Sequence, residues 1–228
     1  ICTAQVLLAN IAGLYATYHG PEGIHKIASR IHRFTSILAL GLKKSGINIV
    51  NENFFDTLTI KVNADEAELI LKRAHDAQIN LWTGQIEEKG TIGISLDECT
   101  SESEILELWS ILIGTSRHSN IVLDFDKIIR SRQIEPVIPD YLMRNSKFLT
   151  HPVFNSFQSE TDMMRYLKRL ENKDISLTHS MIPLGSCTMK LNAASEMIPI
   201  SWPEFSDPHP FSPLDQVSGY QKMIAELE

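Results

Sequence analysis

Between residues 179 and 192 the sequence reads His-Ser-Met-Ile-Pro-Leu-Gly-Ser-Cys-Thr-Met-Lys-Leu-Asn. The hydroxyls of Ser186 and Thr188, the Cys187 thiol, the Lys190 amine, the Asn192 amide and the His179 imidazole all fall inside these fourteen positions. Such a set supplies hydrogen-bond donors, a potential nucleophile and an acid–base group in one place. Pro183 and Gly185 punctuate the run as a turn would. Met181, Ile182, Leu184, Met189 and Leu191 keep neither the three-and-four spacing of a helix nor the alternation of a strand, so the stretch reads as a loop.

The elements that must carry this loop are legible upstream. Residues 4–18 are rich in Ala, Leu and Ile with hardly any charge, which predicts a helix buried on most of its surface. His19-Gly20-Pro21 breaks it, and a second helix starts near Pro21 with Glu22 at its amino end. Ile24, Ile27, Ala28, Ile31, Phe34, Leu38 and Leu42 form its apolar stripe, Lys43-Lys44 suit its carboxyl end and Gly46 closes it. From residue 56 to 62 the period becomes two, with Leu58, Ile60 and Val62 facing a core. Residues 65–77 return to helical spacing. Residues 79–82 form a short strand candidate and 91–96 a better one, with Ile92, Ile94 and Leu96 on one face. Ser101 and Glu104 predict a capping box ahead of Ile105, Leu108, Trp109 and Leu112.

This order predicts an α/β fold with helices over a small antiparallel or mixed sheet across residues 1–114. Residues 115–158 hold Pro136, Pro139 and Pro152 and few periodic runs, so a linker crossing a surface is expected. Residues 159–172 form one more amphipathic helix, with Met163, Tyr166, Leu167 and Leu170 on one face. Six prolines between Pro183 and Pro213 forbid long helices before about residue 214. Residues 159–228 are therefore an extended, partly helical arm that has to lie on another part of the molecule.

The 228 residues are 43% hydrophobic and 21% charged, with a formal net charge of −7, which describes a mildly acidic protein with a normal core. Lys and Arg gather in no patch, so nucleic acid is not an expected partner. No run of 18 apolar residues is present, so no membrane span is expected. Cys2, Cys99 and Cys187 have neither metal-ligand nor disulfide-framework spacing. The absence of an initial methionine and the helical look of residues 220–228 read as an internal piece of a longer protein.

Residues 183–192, preceded by Leu170-Glu171-Asn172-Lys173-Asp174-Ile175-Ser176-Leu177, resemble the opening of the second half of the glycine cleavage system P-protein family. So, in order, do Ile1-Cys2-Thr3-Ala4-Gln5, Tyr18-His19-Gly20-Pro21-Glu22-Gly23, Phe54-Phe55-Asp56-Thr57-Leu58, Gly93-Ile94-Ser95-Leu96-Asp97-Glu98 and His209-Pro210-Phe211. Residues 112–140 are the weakest stretch. The resemblance implies a pyridoxal-phosphate-dependent glycine decarboxylase built from two homologous aminotransferase-like (type I) halves. Residues 1–114 would be the small carboxyl-terminal domain of the first half, 115–158 the linker, and 159–228 the amino-terminal arm of the second, catalytic half.

The same resemblance implies glycine as substrate, pyridoxal 5'-phosphate as cofactor and the lipoyl arm of H-protein as acceptor of the aminomethyl group. The missing parts of the enzyme would complete a pseudo-dimer or homodimer. The Schiff-base lysine is expected beyond Glu228, not at Lys190, so the span alone should be inactive. Cys2 and Thr3 would reach the cofactor phosphate from the partner half, or Thr3 simply caps the helix that follows. Ser186, Cys187, Thr188, Lys190, Asn192 and His179 would line the substrate entrance, or pin the arm to the large domain. Cys187 reads either as a redox-sensitive thiol or as a buried small residue. His19 and His209, beside Gly or Pro in turns, are expected to be structural. The expected compartment is the bacterial cytoplasm or the mitochondrial matrix. Two other readings are a non-catalytic scaffold that docks on a separate catalytic chain, and a different type I pyridoxal enzyme.

Overall fold

The computed structural model describes residues 4–83, 90–114, 127–128, 138–174 and 193–228, and divides the chain into two units, Ile1–Met164 and Arg165–Glu228. The first unit opens with α1, Ala4–Lys44, a helical run of 41 residues. The predicted break is a kink inside it. Gly20 leaves helical geometry at φ 62° and ψ −178°, and Pro21 restarts the helix at a position where its missing N–H has no partner to lose. Thr35, Ser36 and Ser45 turn their hydroxyls back to the carbonyls of Ile31, His32 and Gly41, which lets them sit on a helix without orphaned donors.

Three strands follow: β1, Asn48–Ile49; β2, Thr57–Lys61; and β3, Thr91–Ser95. They pair antiparallel in the order β1-β2-β3, with Leu58 opposite Ile94 and Ile60 opposite Ile92. Two further helices cover the sheet, α2 at Ala64–Asp76 and α3 at Glu102–Ile113. This is the expected α/β class with an antiparallel sheet. The four strand residues join Ile37, Leu38, Leu42, Ile70, Ile105, Trp109 and Leu112 in one buried cluster, each side chain contributing about 1.5–3 kcal/mol of apolar burial.

Three expectations need correction. Residues 4–18 do form a helix, but Val6, Leu7, Leu8 and Ile11 are more than half exposed, because the buried partners of α1 lie along residues 34–42. The strand expected at 79–82 shrinks to a single bridge, in which Trp82 and Gly93 exchange backbone hydrogen bonds of 3.1 and 2.7 Å. That bridge also explains why β3 lacks a wet face: the Trp82 ring rests where a Cβ on Gly93 would stand, and Thr91 and Gly93 are buried along with Ile92 and Ile94. β1, only two residues long, left no periodic trace in the sequence.

Helix starts match their sequence signals. Asn63 Oδ1 accepts from the Glu66 amide at 2.8 Å ahead of α2. Ser101 and Glu104 form the predicted capping box, with Ser101 N–H donating to Glu104 Oε2 at 2.7 Å and Glu104 N–H to Ser101 Oγ at 3.3 Å. Arg73 reaches from α2 to donate to the Ile111 carbonyl at 2.7 Å in the last turn of α3.

Glu160–Glu171 is a helix, and the second unit then runs through short pieces at Ala194–Met197, Ile198–Ser201, Pro203–Ser206 and Leu214–Val217 before the ten-residue helix Ser218–Leu227. No described residue from 165 to 228 is buried. The unit is tied locally by Tyr220, whose hydroxyl donates to the Phe205 carbonyl at 2.6 Å while its ring meets that of Phe205 edge-on at 5.8 Å. Among the described residues no helix is long and apolar enough to cross a membrane.

Candidate functional site

The kink in α1 creates a groove. Pro21, Glu22, His25 and Lys26 line one side, residues 144–150 and Asn155 the other, around about 740 Å³. The second wall is seated by Gly20: a Cβ there would collide with the Phe154 carbonyl and the Gln158 amide, so the absent side chain admits the Pro152–Asn155 turn. Within that wall Asn155 Nδ2 donates to the Leu149 and His151 carbonyls at 3.0 and 3.2 Å, and Leu149 sits at φ 49°. Arg144 stacks its guanidinium 5.0 Å over Phe148 and donates from Nε to Ser146 Oγ at 3.2 Å.

Lys26, Arg144 and Lys147 outnumber Glu22 here, so the groove is locally cationic on a chain whose net charge is −7. Such cations suit the groove to holding an anionic group. The one hydroxyl–imidazole contact beside it, Ser29 Oγ to His25 Nδ1 at 3.4 Å, is long, exposed and without an orienting third group. Sequence reading missed this groove because its cations sit more than a hundred positions apart and no periodicity links them.

Two further clusters organise the region. Tyr15 and Tyr18 flank the His19 ring at 4.3 and 5.2 Å. The Tyr15 phenol is raised above its ordinary value, first by partial burial, then by the negative charge of Glu98 and Cys99. The loop carrying those two residues is held by Arg30, whose Nη1 and Nη2 donate to the carbonyls of Glu98 and Thr100, both at 2.7 Å. His32 is a packing residue: its Nδ1 donates to the Phe55 carbonyl at 2.9 Å and its ring stacks on Phe55 at 5.5 Å. His209 Nδ1 accepts from the Phe211 amide at 3.0 Å.

Cys2, Thr3, His179, Ser186, Cys187, Thr188, Lys190 and Asn192 all fall outside the described residues. Their described neighbours are α1, which starts directly after Thr3, and the turn at Ala193, whose N–H donates to Glu196 Oε2 at 3.1 Å. Every described lysine is exposed, and among the described residues no group of three His, Cys, Asp or Glu side chains could hold a metal ion.

Comparison with known proteins supplies what this geometry leaves open. The family model described as "Glycine cleavage system P-protein" matches residues 1–112. Over all 228 residues the chain is 54% identical to "Glycine dehydrogenase (decarboxylating) 2" of Pseudomonas fluorescens. It is 53% identical to "Glycine dehydrogenase (decarboxylating)" of Escherichia coli over 228 residues and 52% identical to that of Shewanella halifaxensis over the same length. The chain is similar to the glycine cleavage system P-protein family. It spans 23% of the length of these curated relatives, and the matched region covers all 228 residues, the loop at 179–192 included. α1, the three-stranded sheet, α2 and all of α3 but its last residue lie within the span that the family model matches.

Proposed function

We propose that this chain serves as one section of a glycine dehydrogenase (decarboxylating), an enzyme that removes the carboxylate of glycine with pyridoxal 5'-phosphate and passes the aminomethyl group to the lipoyl arm of H-protein. The observation that carries this reading is identity of 52–54% over the full chain to proteins of that name. A match of that depth, continuous from residue 1 to 228, supports a shared reaction and not only a shared fold.

Pyridoxal phosphate supplies an electron sink for the pair left when a carboxylate departs. The described residues do not make a seat for it. A lysine that bonds the cofactor needs a desolvated setting that favours its neutral amine, and every described lysine is exposed. No described lysine offers that setting, and the cofactor lysine is proposed to lie beyond Glu228. The residues proposed to face cofactor and substrate are Thr3, Ser186, Thr188, Lys190 and Asn192, with His179 beside them. Their part is to orient an anionic group by hydrogen bonds, with Cys2 beside Thr3 at the cofactor phosphate and Cys187 in the substrate loop. Residues 115–158 act as the linker and 159–228 as the arm on the catalytic half. That assignment draws support from the second unit, where no described side chain is buried. Bacterial relatives favour the bacterial cytoplasm as the working compartment.

The test is release of labelled carbon dioxide from carboxyl-labelled glycine in the presence of lipoylated H-protein. The full-length protein with pyridoxal phosphate should release it and the 228-residue chain should not. Absorbance between about 330 and 430 nm, where a bound pyridoxal group absorbs, should follow the same split. Release by the 228-residue chain alone, or none by the full-length protein, would overturn the reading.

A further inference from the structure

The groove at the kink of α1 gathers cations that no described residue neutralises. Lys26 enters from one wall, Arg144 and Lys147 from the other, and among the described residues none of the three is paired with a carboxylate. Glu22 is the one acid on the lining, so three formal positive charges against one negative leave a surplus of two. Like charges brought to one concave surface repel each other unless an anion comes between them. Arg144 is already shaped for that anion. Its guanidinium lies over Phe148 and its Nε is held by Ser146, which leaves both Nη groups as an oriented pair of donors. Along the same wall the backbone N–H groups of residues 145–150 donate to no described acceptor.

Size and lining narrow the class of ligand. The groove encloses about 740 Å³, within the range of small-molecule sites and well beyond the space that a lone phosphate or carboxylate fills. Pro21, Phe148 and Leu149 add apolar surface to it. A surplus of two positive charges matches a phosphate monoester, which carries nearly two negative charges at pH 7, whereas a carboxylate or a phosphate diester carries one. We infer that the groove between the helical restart at Pro21 and residues 144–150 is a binding site for a small organic phosphate monoester. Lys26, Arg144 and Lys147 hold the phosphate, and the apolar body lies against Phe148 and Leu149. The second wall is set before any ligand arrives, because Asn155 in the Pro152–Asn155 turn donates to the Leu149 carbonyl. Nothing in this site depends on the reaction proposed above.

Phenyl phosphate is the probe, since it joins a dianion to an apolar ring. The protein is the full-length polypeptide loaded with pyridoxal phosphate and freed of excess, so that cofactor and probe do not compete. Saturation transfer to the ring protons of phenyl phosphate, titrated at low ionic strength, reads both affinity and contact with the body. We expect saturable transfer, and inorganic phosphate as competitor should bind about tenfold or more weaker than the probe, because it lacks the body. Lys26→Gln and Arg144→Gln each change an exposed side chain and should each weaken probe binding about threefold or more. The Lys26 side chain makes no described hydrogen bond or ion pair, so Lys26→Gln carries the test even if Arg144→Gln folds poorly. Absence of saturable transfer would overturn the inference, as would transfer that neither variant changes. Displacement of the probe by an equal concentration of inorganic phosphate would overturn it too, by removing the apolar body from the site.

Discussion

Trp109 of α3 lies against the backbone of α1 at Gly41, in the space where any other residue would carry its Cβ, and its indole Nε1 donates to the Leu38 carbonyl at 3.1 Å. The pair fixes the depth at which the two helices meet. Gly41→Ala gains up to about 1 kcal/mol of helix propensity, but it drives a methyl into a side chain that is 1% exposed and has nowhere to go. The expected result is a net loss of about 2 kcal/mol in urea unfolding of the chain, and Trp109→Ala should lose about 3–5 kcal/mol.

Gly20 tests how the second wall of the groove is held. Gly20→Ala must adopt a left-handed φ of 62°, costing about 1–2 kcal/mol, and its methyl would meet the Phe154 carbonyl. Relief comes by releasing residues 151–158 from α1. Limited proteolysis of the variant should cut between 144 and 158 several-fold faster than in the parent chain, while α3 keeps its resistance.

The capping box gives a non-additive pair. Ser101→Ala should cost about 1 kcal/mol and Glu104→Ala somewhat less, because each removes one of two reciprocal bonds. The double variant should cost less than the two singles added, by about 0.5 kcal/mol or more in a double-mutant cycle.

Tyr15 sets an alkaline limit. Its phenol is raised in the folded state, so the folded chain favours the protonated form. The associated stability is whole below the ordinary tyrosine pKa of about 10 and is lost as pH rises through the folded value. A spectrophotometric titration near 295 nm should show one tyrosine ionising above the others, and Tyr15→Phe should abolish that late step. An unchanged late step in the variant would place it on another tyrosine.

Reading the residues in order revealed the parts of the fold that local rules determine. Ser101 and Glu104 announced the start of α3, the alternation at Leu58 and Ile60 gave β2, and His19-Gly20-Pro21 located the kink to the residue. What stayed hidden depends on partners distant in sequence. Trp82 looked like part of a strand because nothing nearby shows that it meets only Gly93. The apolar run at 4–18 was expected to be buried because periodicity reports a side chain's preference and not what is present to satisfy it. For the candidate site the balance reverses: the residues at 179–192 were marked by type and spacing, whereas the groove at Lys26, Arg144 and Lys147 exists only once the chain has folded back on α1.

The sheet has two borders, and each is blunted against fibril growth. A free strand edge is a row of unmet amide and carbonyl groups that another chain can extend into an aggregate. On one side the border strand is β1, two residues long, too short to template a ladder. On the other, Trp82 occupies both outward hydrogen-bonding groups of Gly93 and lays its ring over that point. A domain with Ile-rich strands is thereby kept from recruiting copies of itself.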